Sequence, residues 1–139
     1  MFFYTGITRR SSSILKSQRQ KINKTAPCID RLVEMVDTAK NSMINNDLSK
    51  IGGLLHESWE IKKTLAGGIT NPKIDACYNA ARRAGAQGGK ILGAGGGGFL
   101  MLYCEKEYQH KVRKAIGAEL REISVEFETE GSKIIYIND

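Results

Sequence analysis

Seven glycines fall within sixteen residues, Gly88-Gly89-Lys90-Ile91-Leu92-Gly93-Ala94-Gly95-Gly96-Gly97-Gly98-Phe99-Leu100-Met101-Leu102-Tyr103. Glycine is costly to order, so this density marks a backbone that turns sharply or approaches another group closely. A structural hairpin needs one or two glycines. The unbroken run from Gly95 to Gly98 favours a surface of backbone N–H groups pressed against a phosphate or another loop. Two further groups could do related chemistry. Arg9-Arg10 stand just before Ser11-Ser12-Ser13, which are candidate N-caps. Cations beside the free N–H groups of a helix start suit an anion, and the same pattern equally describes a capped helix with surface arginines. Gly52, His56, Trp59 and Lys63 share one face of a helix, away from its apolar stripe. A ligand wall or a contact with a partner domain competes there with plain packing on another layer.

Context narrows the glycine run. Gly93, Gly95 and Gly98 satisfy G-x-G-x-x-G, but in a dinucleotide fold that pattern opens a helix, and Phe99-Leu100-Met101-Leu102-Tyr103-Cys104 reads as a strand. A phosphate P-loop needs its lysine after the glycines, whereas Lys90 precedes them. A protein-kinase glycine loop is a strand-turn-strand, yet the sequence has no V-A-I-K, H-R-D or D-F-G element.

The elements that must hold this loop follow from hydrophobic periodicity. Phe2 to Thr8 reads as a strand. A helix carrying Ile14, Leu15 and Ile22 is followed after Thr25 by a longer one, with Ile29, Leu32, Val33, Val36, Ala39 and Met43 as its inward stripe. Asn45-Asn46 breaks it. The next helix, about Asp47 to Leu65, carries Ile51, Leu54, Ser58, Ile61 and Leu65 on its core face. Asn71-Pro72 starts another, with Gly85 as its C-terminal cap. Strand, glycine turn and strand come next. A helix from Glu105 to Leu120 faces Tyr108, Val112, Ala115, Ile116 and Leu120 inward. Ile123, Val125, Phe127 and Thr129 alternate as a half-buried strand, Gly131-Ser132 turns the chain, and Ile134 to Ile137 form a short strand or an extension of the previous one. The order predicts a single α+β domain over residues 1–139, a ferredoxin-like antiparallel sheet covered by helices, with extra helices in the first crossover.

Composition sets limits. The 139 residues are 41% hydrophobic and 26% charged, ordinary for a soluble domain. No apolar run approaches the length of a membrane span, and no signal peptide is expected. Cys28, Cys77 and Cys104 form no zinc pattern, so no metal site is expected, and reduced thiols fit a cytoplasmic protein. The net charge of +6 is dispersed and lacks interleaved aromatics, which favours phosphorylated small molecules over nucleic acid.

The run Gly89-Lys90-Ile91-Leu92-Gly93-Ala94-Gly95-Gly96-Gly97-Gly98-Phe99 resembles the C-terminal motif of the GHMP small-molecule kinases, with Leu92 where many members have Thr. Leu55 to Lys63, Ile69 to Asp75 and Tyr4 to Arg9 are similar to the branch that includes the D-glycero-D-manno-heptose 7-phosphate kinases. The likeness covers most of the chain. It implies an ATP- and Mg²⁺-dependent sugar kinase with its active site between two domains, of which this is the C-terminal one. The ATP loop P-x-x-x-G-L-G-S-S-A is not in the sequence, and the catalytic residues are expected in the N-terminal kinase domain. On this resemblance Gly93, Ala94, Gly95, Gly96, Gly97 and Gly98 approach the ATP phosphates. Trp59, Lys63, Lys90 and Arg9 face the sugar phosphate or the N-terminal domain. The alternatives are a non-catalytic binding or regulatory module on the same fold, and a GHMP kinase for another small substrate such as galactose, fucose or mevalonate.

Overall fold

Alternation along three short strands decides which way the sheet faces. Phe3, Leu100 and Leu102 are buried while Phe2, Tyr4, Met101 and Tyr103 are only half-buried. The computed structural model, which describes residues 1–134 and Tyr136, aligns these residues across the sheet. Strand β1 (Phe2–Tyr4) pairs antiparallel with β3 (Phe99–Tyr103), setting Phe3 opposite Leu100. Strand β2 (Gly88–Ile91) pairs on the far side of β3, setting Ile91 opposite the same Leu100. Strand β4 (Arg121–Ile123) closes the other edge against β1. The sheet order is β2-β3-β1-β4 and every neighbour is antiparallel. With helices in both crossovers, this is the ferredoxin-like α+β architecture expected from the element order.

Between β1 and β2 lie α1 (Ser11–Ile44), a 3₁₀ turn (Leu48–Lys50), α2 (Ile51–Leu65) and α3 (Pro72–Arg83). A second 3₁₀ turn (Lys106–Tyr108) and α4 (Gln109–Ile116) lead to β4. Helix α3 begins as its sequence dictates. The Asn71 side chain accepts from the Ile74 N–H at 3.0 Å, and Pro72 occupies the first turn, where no N–H is needed. Ile74, Cys77, Tyr78 and Ala81 of α3, with Val112 and Ile116 of α4, join Phe3, Leu100 and Leu102 in the core.

Helix α2 meets β2 at backbone distance. A Cβ on Gly88 would lie 1.9 Å from the Gly52 carbonyl oxygen, and one on Gly52 would lie 2.4 Å from the Gln87 Cβ. Only paired glycines allow this approach. The face of α2 carrying Gly52 and Trp59 is therefore turned into the sheet, and Trp59 is fully buried. Of the alternatives for the face carrying Gly52, His56, Trp59 and Lys63, packing on another layer of the domain is the one Trp59 takes, and Ile51 and Leu65 of the expected core stripe are buried as well. Leu54, Ser58 and Ile61, read as core positions, are half-buried, and Leu54 and Ser58 border a groove beside α1.

Four other expectations change. The two helices read on either side of Thr25 are one, continuous through Pro27. The Thr25 hydroxyl donates to the Lys21 and Ile22 carbonyls one turn before the proline. Of the expected inward stripe, Ile29, Val33, Val36 and Met43 are exposed, and Met35 and Ser42 are buried instead. The cause is rotation. α2 lies alongside this half of α1, as the 2.8 Å Arg31–Glu57 bond and their shared groove show, but α1 turns Met35 and Ser42 inward rather than the expected stripe. The strand expected to run to Thr129 stops at Ile123, which pairs with Phe2, the first residue of β1. Phe127 is consequently exposed. In the expected helix over Glu105 to Leu120, α4 occupies only the middle and Tyr108 lies in the preceding 3₁₀ turn, partly exposed. The strand expected over Ile134 to Ile137 falls largely outside the described residues.

The α2–β2 approach yields a paired prediction. Gly88→Ala drives a methyl into the Gly52 carbonyl and is expected to cost about 3 kcal/mol or more, or to prevent folding. Gly53→Ala, one residue along the same helix with open space at its Cβ, is expected to be neutral or to stabilise by about 0.5–1 kcal/mol. Urea unfolding of both variants measures the contrast. Equal effects would show that the helix and strand do not meet at backbone distance.

Candidate functional site

The loop between β2 and β3 starts where the Leu92 N–H donates to the Phe99 carbonyl at 2.9 Å and closes the hairpin neck. Beyond the neck, Gly93, Gly95, Gly96 and Gly98 all have φ between 74° and 101°, a region L side chains rarely adopt. Two other segments hold the loop. The Gly96 N–H donates to the Ile69 carbonyl at 2.7 Å, and the Gly98 N–H to the Ile7 carbonyl at 2.9 Å. In return the Gly98 carbonyl accepts both from the Thr5 N–H and from its hydroxyl, each at 2.9 Å. Gly97 sits so close that a Cβ there would lie 2.3 Å from the Ile7 oxygen. The residues after β1, the loop before α3 and the glycine loop therefore meet backbone to backbone.

Among the described residues, the N–H groups of Gly93, Ala94, Gly95 and Gly97 donate to no protein acceptor. A cavity of about 270 Å³ opens over them, lined by Ala94, Gly95, Gly97 and Gly98 on one side and by Thr8, Arg9 and Ser11 on the other. The Arg9 guanidinium reaches across to the Gly68 carbonyl at 3.4 Å, and its Cδ lies beside Gly96. It has no carboxylate partner among the described residues, so its charge is uncompensated at the cavity mouth. Hydroxyls, a guanidinium and free N–H groups can all donate, they stand beside the side chains of Tyr4, Ile7 and Leu92, and the lining contains no carboxylate. Such a donor set is chemically suited to an anion.

Lys62 was not singled out by sequence, and it holds the other end of the loop. From the last turns of α2 its ammonium donates to the Gly93 carbonyl, with a second, longer bond of 3.5 Å to the Ile91 carbonyl. Burial, and secondarily the nearby charge of Lys90, holds its pKa below the usual lysine value. Periodicity gave no reason to prefer Lys62 over Lys63. Only the rotation of α2 imposed by Gly52 and Gly88 separates them. Lys63 spends its charge locally, 2.7 Å from Glu60 and 6.0 Å from the centre of the Trp59 ring.

The sequence candidates thus divide. Arg9 and the Gly93–Gly98 loop share one cavity. Lys90 lies on β2 beside Lys62, bordering the groove between α1 and α2. Trp59 is enclosed by the core with no surface left for a ligand, and its indole N–H has no acceptor among the described residues. Next to it, the His56 Nδ1 and the Tyr78 hydroxyl are 2.8 Å apart. Among the described residues no cluster of three or more histidine, cysteine or carboxylate side chains is placed to hold a metal, and no helix is long and apolar enough to cross a membrane.

A helix-covered antiparallel sheet thus carries at one end a glycine loop whose free N–H groups share a cavity with Arg9. Residues 35–122 match the family model for the GHMP kinases C-terminal domain, and the chain belongs to that family. It is 25% identical over 121 residues to the D-glycero-alpha-D-manno-heptose 7-phosphate kinase of Campylobacter jejuni, covering 86% of this chain and 36% of that protein. It is 30% identical over 106 residues to the mevalonate kinase of Pyrococcus horikoshii, covering 70% of this chain and 31% of that protein. Among solved structures, L. major mevalonate kinase in complex with R-mevalonate superposes with a TM-score of 0.71 at 19% identity, over 85% of this chain and 37% of that one. The chain therefore spans about a third of the length of these relatives.

Burial, above all, pushes the Tyr78 phenol up to about 12 from its ordinary 10.0. The unfolded chain releases this proton near pH 10 and the folded chain does so later. The stability that neutral Tyr78 contributes is thus complete below pH 10 and lost as the pH climbs from 10 toward 12. Urea midpoints of the wild type and Tyr78→Phe between pH 8 and 11 are expected to converge above pH 10, at up to about 1.4 kcal/mol per pH unit. A constant gap would mean that the phenol is not desolvated.

Proposed function

We propose that this chain forms the C-terminal half of an ATP-dependent GHMP kinase that phosphorylates a sugar phosphate, with the anomeric hydroxyl of a heptose 7-phosphate as the acceptor. The observation that carries this reading is the cavity joining the Arg9 guanidinium to the free N–H groups of Ala94, Gly95 and Gly97. Phosphoryl transfer needs charge neutralisation and positioning more than covalent help from the protein. A rigid donor surface supplies both, because its N–H groups are oriented before the anion arrives. Arg9 is suited to the acceptor's own phosphate, and the glycine N–H groups to phosphate oxygens of ATP. Lys62 keeps the Gly93 end of the loop from folding back over the cavity. Lys90 would add positive charge on the β2 side, whereas Lys63, paired with Glu60, is the weaker contact.

The donor set fits phosphate and offers Mg²⁺ no carboxylate. The metal expected with ATP would neutralise phosphate charge and would draw any protein ligand from outside this cavity. The base for the acceptor hydroxyl, the ATP loop and the facing wall of the cleft would come from an N-terminal kinase domain, consistent with relatives about three times as long. The setting would be the cytoplasm, where ATP is available.

The mevalonate kinases among the relatives favour a second reading, in which the acceptor is a mevalonate-like hydroxy acid and Arg9 meets a carboxylate. Turnover of a panel containing heptose 7-phosphate and mevalonate by the full-length kinase separates the two. Within that enzyme Gly96→Val is expected to lower kcat/KM by about tenfold or more, equivalent to about 1.4 kcal/mol. A Cβ there would meet the Gly68 carbonyl at 2.8 Å and the Arg9 side chain at 3.0 Å. The 139-residue chain alone is expected to turn over no ATP with either acceptor. An unchanged Gly96→Val enzyme, or turnover by the chain alone, would overturn the assignment.

A further inference from the structure

Helix α1 carries an apolar stripe that the fold does not use. Leu15, Ile22, Ile29, Val36 and Met43 recur at every seventh position and all are exposed, Ile29 at 39% and Val36 at 62%. A seven-residue repeat is the spacing that keeps one seam facing another helix along its whole length. The repeat is also symmetric about its centre. In an antiparallel pair with Ile29 on the two-fold axis, Leu15 of one copy meets Met43 of the other, Ile22 meets Val36, and Ile29 meets itself.

Charge favours the same arrangement. The first half of α1 contains Lys16, Arg19, Lys21 and Lys24 and no carboxylate. The second half contains Asp30, Glu34 and Asp37 with Arg31 and Lys40, and Arg31 is occupied by Glu57 and Glu34 at 2.8 and 3.2 Å. Eighteen residues make five turns, so Arg19 and Asp37 project in the same direction beside the stripe. Antiparallel pairing brings like flanks together, and so sets Arg19 of one copy near Asp37 of the other. Parallel pairing would set the two basic first halves side by side. The second half of the stripe also borders an apolar groove of about 330 Å³ between α1 and α2, where half-buried Leu32 and Leu54 can meet an incoming helix.

We propose that two copies of this chain associate through α1 as an antiparallel two-fold dimer centred on Ile29. The proposal does not depend on the kinase reading, because no residue of the glycine-loop cavity lies in the seam.

Sedimentation equilibrium of the 139-residue chain tests it. A concentration-dependent dimer is expected, and Ile29→Asp, which sets two carboxylates face to face on the axis, is expected to be monomeric. Ile29 is exposed, so the circular dichroism spectrum should be unchanged, and the variant's melting temperature should equal that of the wild type diluted until it is monomeric. Arg19→Glu and Asp37→Arg are each expected to weaken the dimer by about tenfold at low salt, and their combination is expected to restore it. A chain that is monomeric at about 100 μM, because the stripe is covered by another polypeptide segment or by nothing, overturns the proposal. So does a dimer indifferent to Ile29→Asp. A dimer broken by Ile29→Asp but not restored by the double charge swap overturns the antiparallel arrangement.

Discussion

The carbonyl of Ile7 lies where a side chain on Gly97 would have to be. From this exclusion the rest of the site follows. Because no Cβ intervenes, the chain leaving β1 can accept the Gly98 N–H and return the two hydrogen bonds of Thr5. Because the loop is held there, Gly96 reaches the Ile69 carbonyl and draws the loop before α3 into the same junction. Some loop N–H groups are used in this stitching, while Ala94, Gly95 and Gly97, whose N–H groups are free, line the cavity beside Arg9. The stitched bonds thus keep the unstitched groups in place, so the site does not have to order itself when an anion arrives.

The same device works at a second place. Gly52 and Gly88 let α2 approach β2 until backbone meets backbone. That contact fixes the rotation of α2, turning Trp59 into the core and bringing Lys62 to the carbonyls at the start of the loop. Glycine therefore acts twice, once to shape the loop and once to aim the cation that restrains it. The conformational cost is spread over two contacts, each of which also buries apolar surface.

Much of this was legible in the sequence. The glycine density named the loop, strand-like residues after it excluded a dinucleotide turn, and Asn71-Pro72 marked the start of α3 to the residue. The element order gave the sheet topology. What was not legible turns on contacts distant in sequence. Gly52 reads as an ordinary weak helix position until Gly88 is seen against it, so the second buried face of α2, the one that meets the sheet, was left open. The stripe on α1 has the right period to be buried, but periodicity cannot say which side of the helix its neighbour will cover. Val125 and Phe127 alternate as a strand should, yet β4 ends at Ile123, opposite the first residue of β1. Arg9 was named from its place before a helix, and Lys62 could be found only in three dimensions.

The central claim is that the loop's free N–H groups and Arg9 form one anion site. It is tested most directly by titrating the ¹⁵N-labelled chain with inorganic pyrophosphate and following its amide resonances. Saturable shifts are predicted at Ala94, Gly95 and Gly97, with little change at Gly96 and Gly98, whose N–H groups are already bonded within the protein. Arg9→Met should weaken the response without unfolding the domain. Shifts confined to scattered surface lysines, or a loop response indifferent to Arg9→Met, would contradict the account.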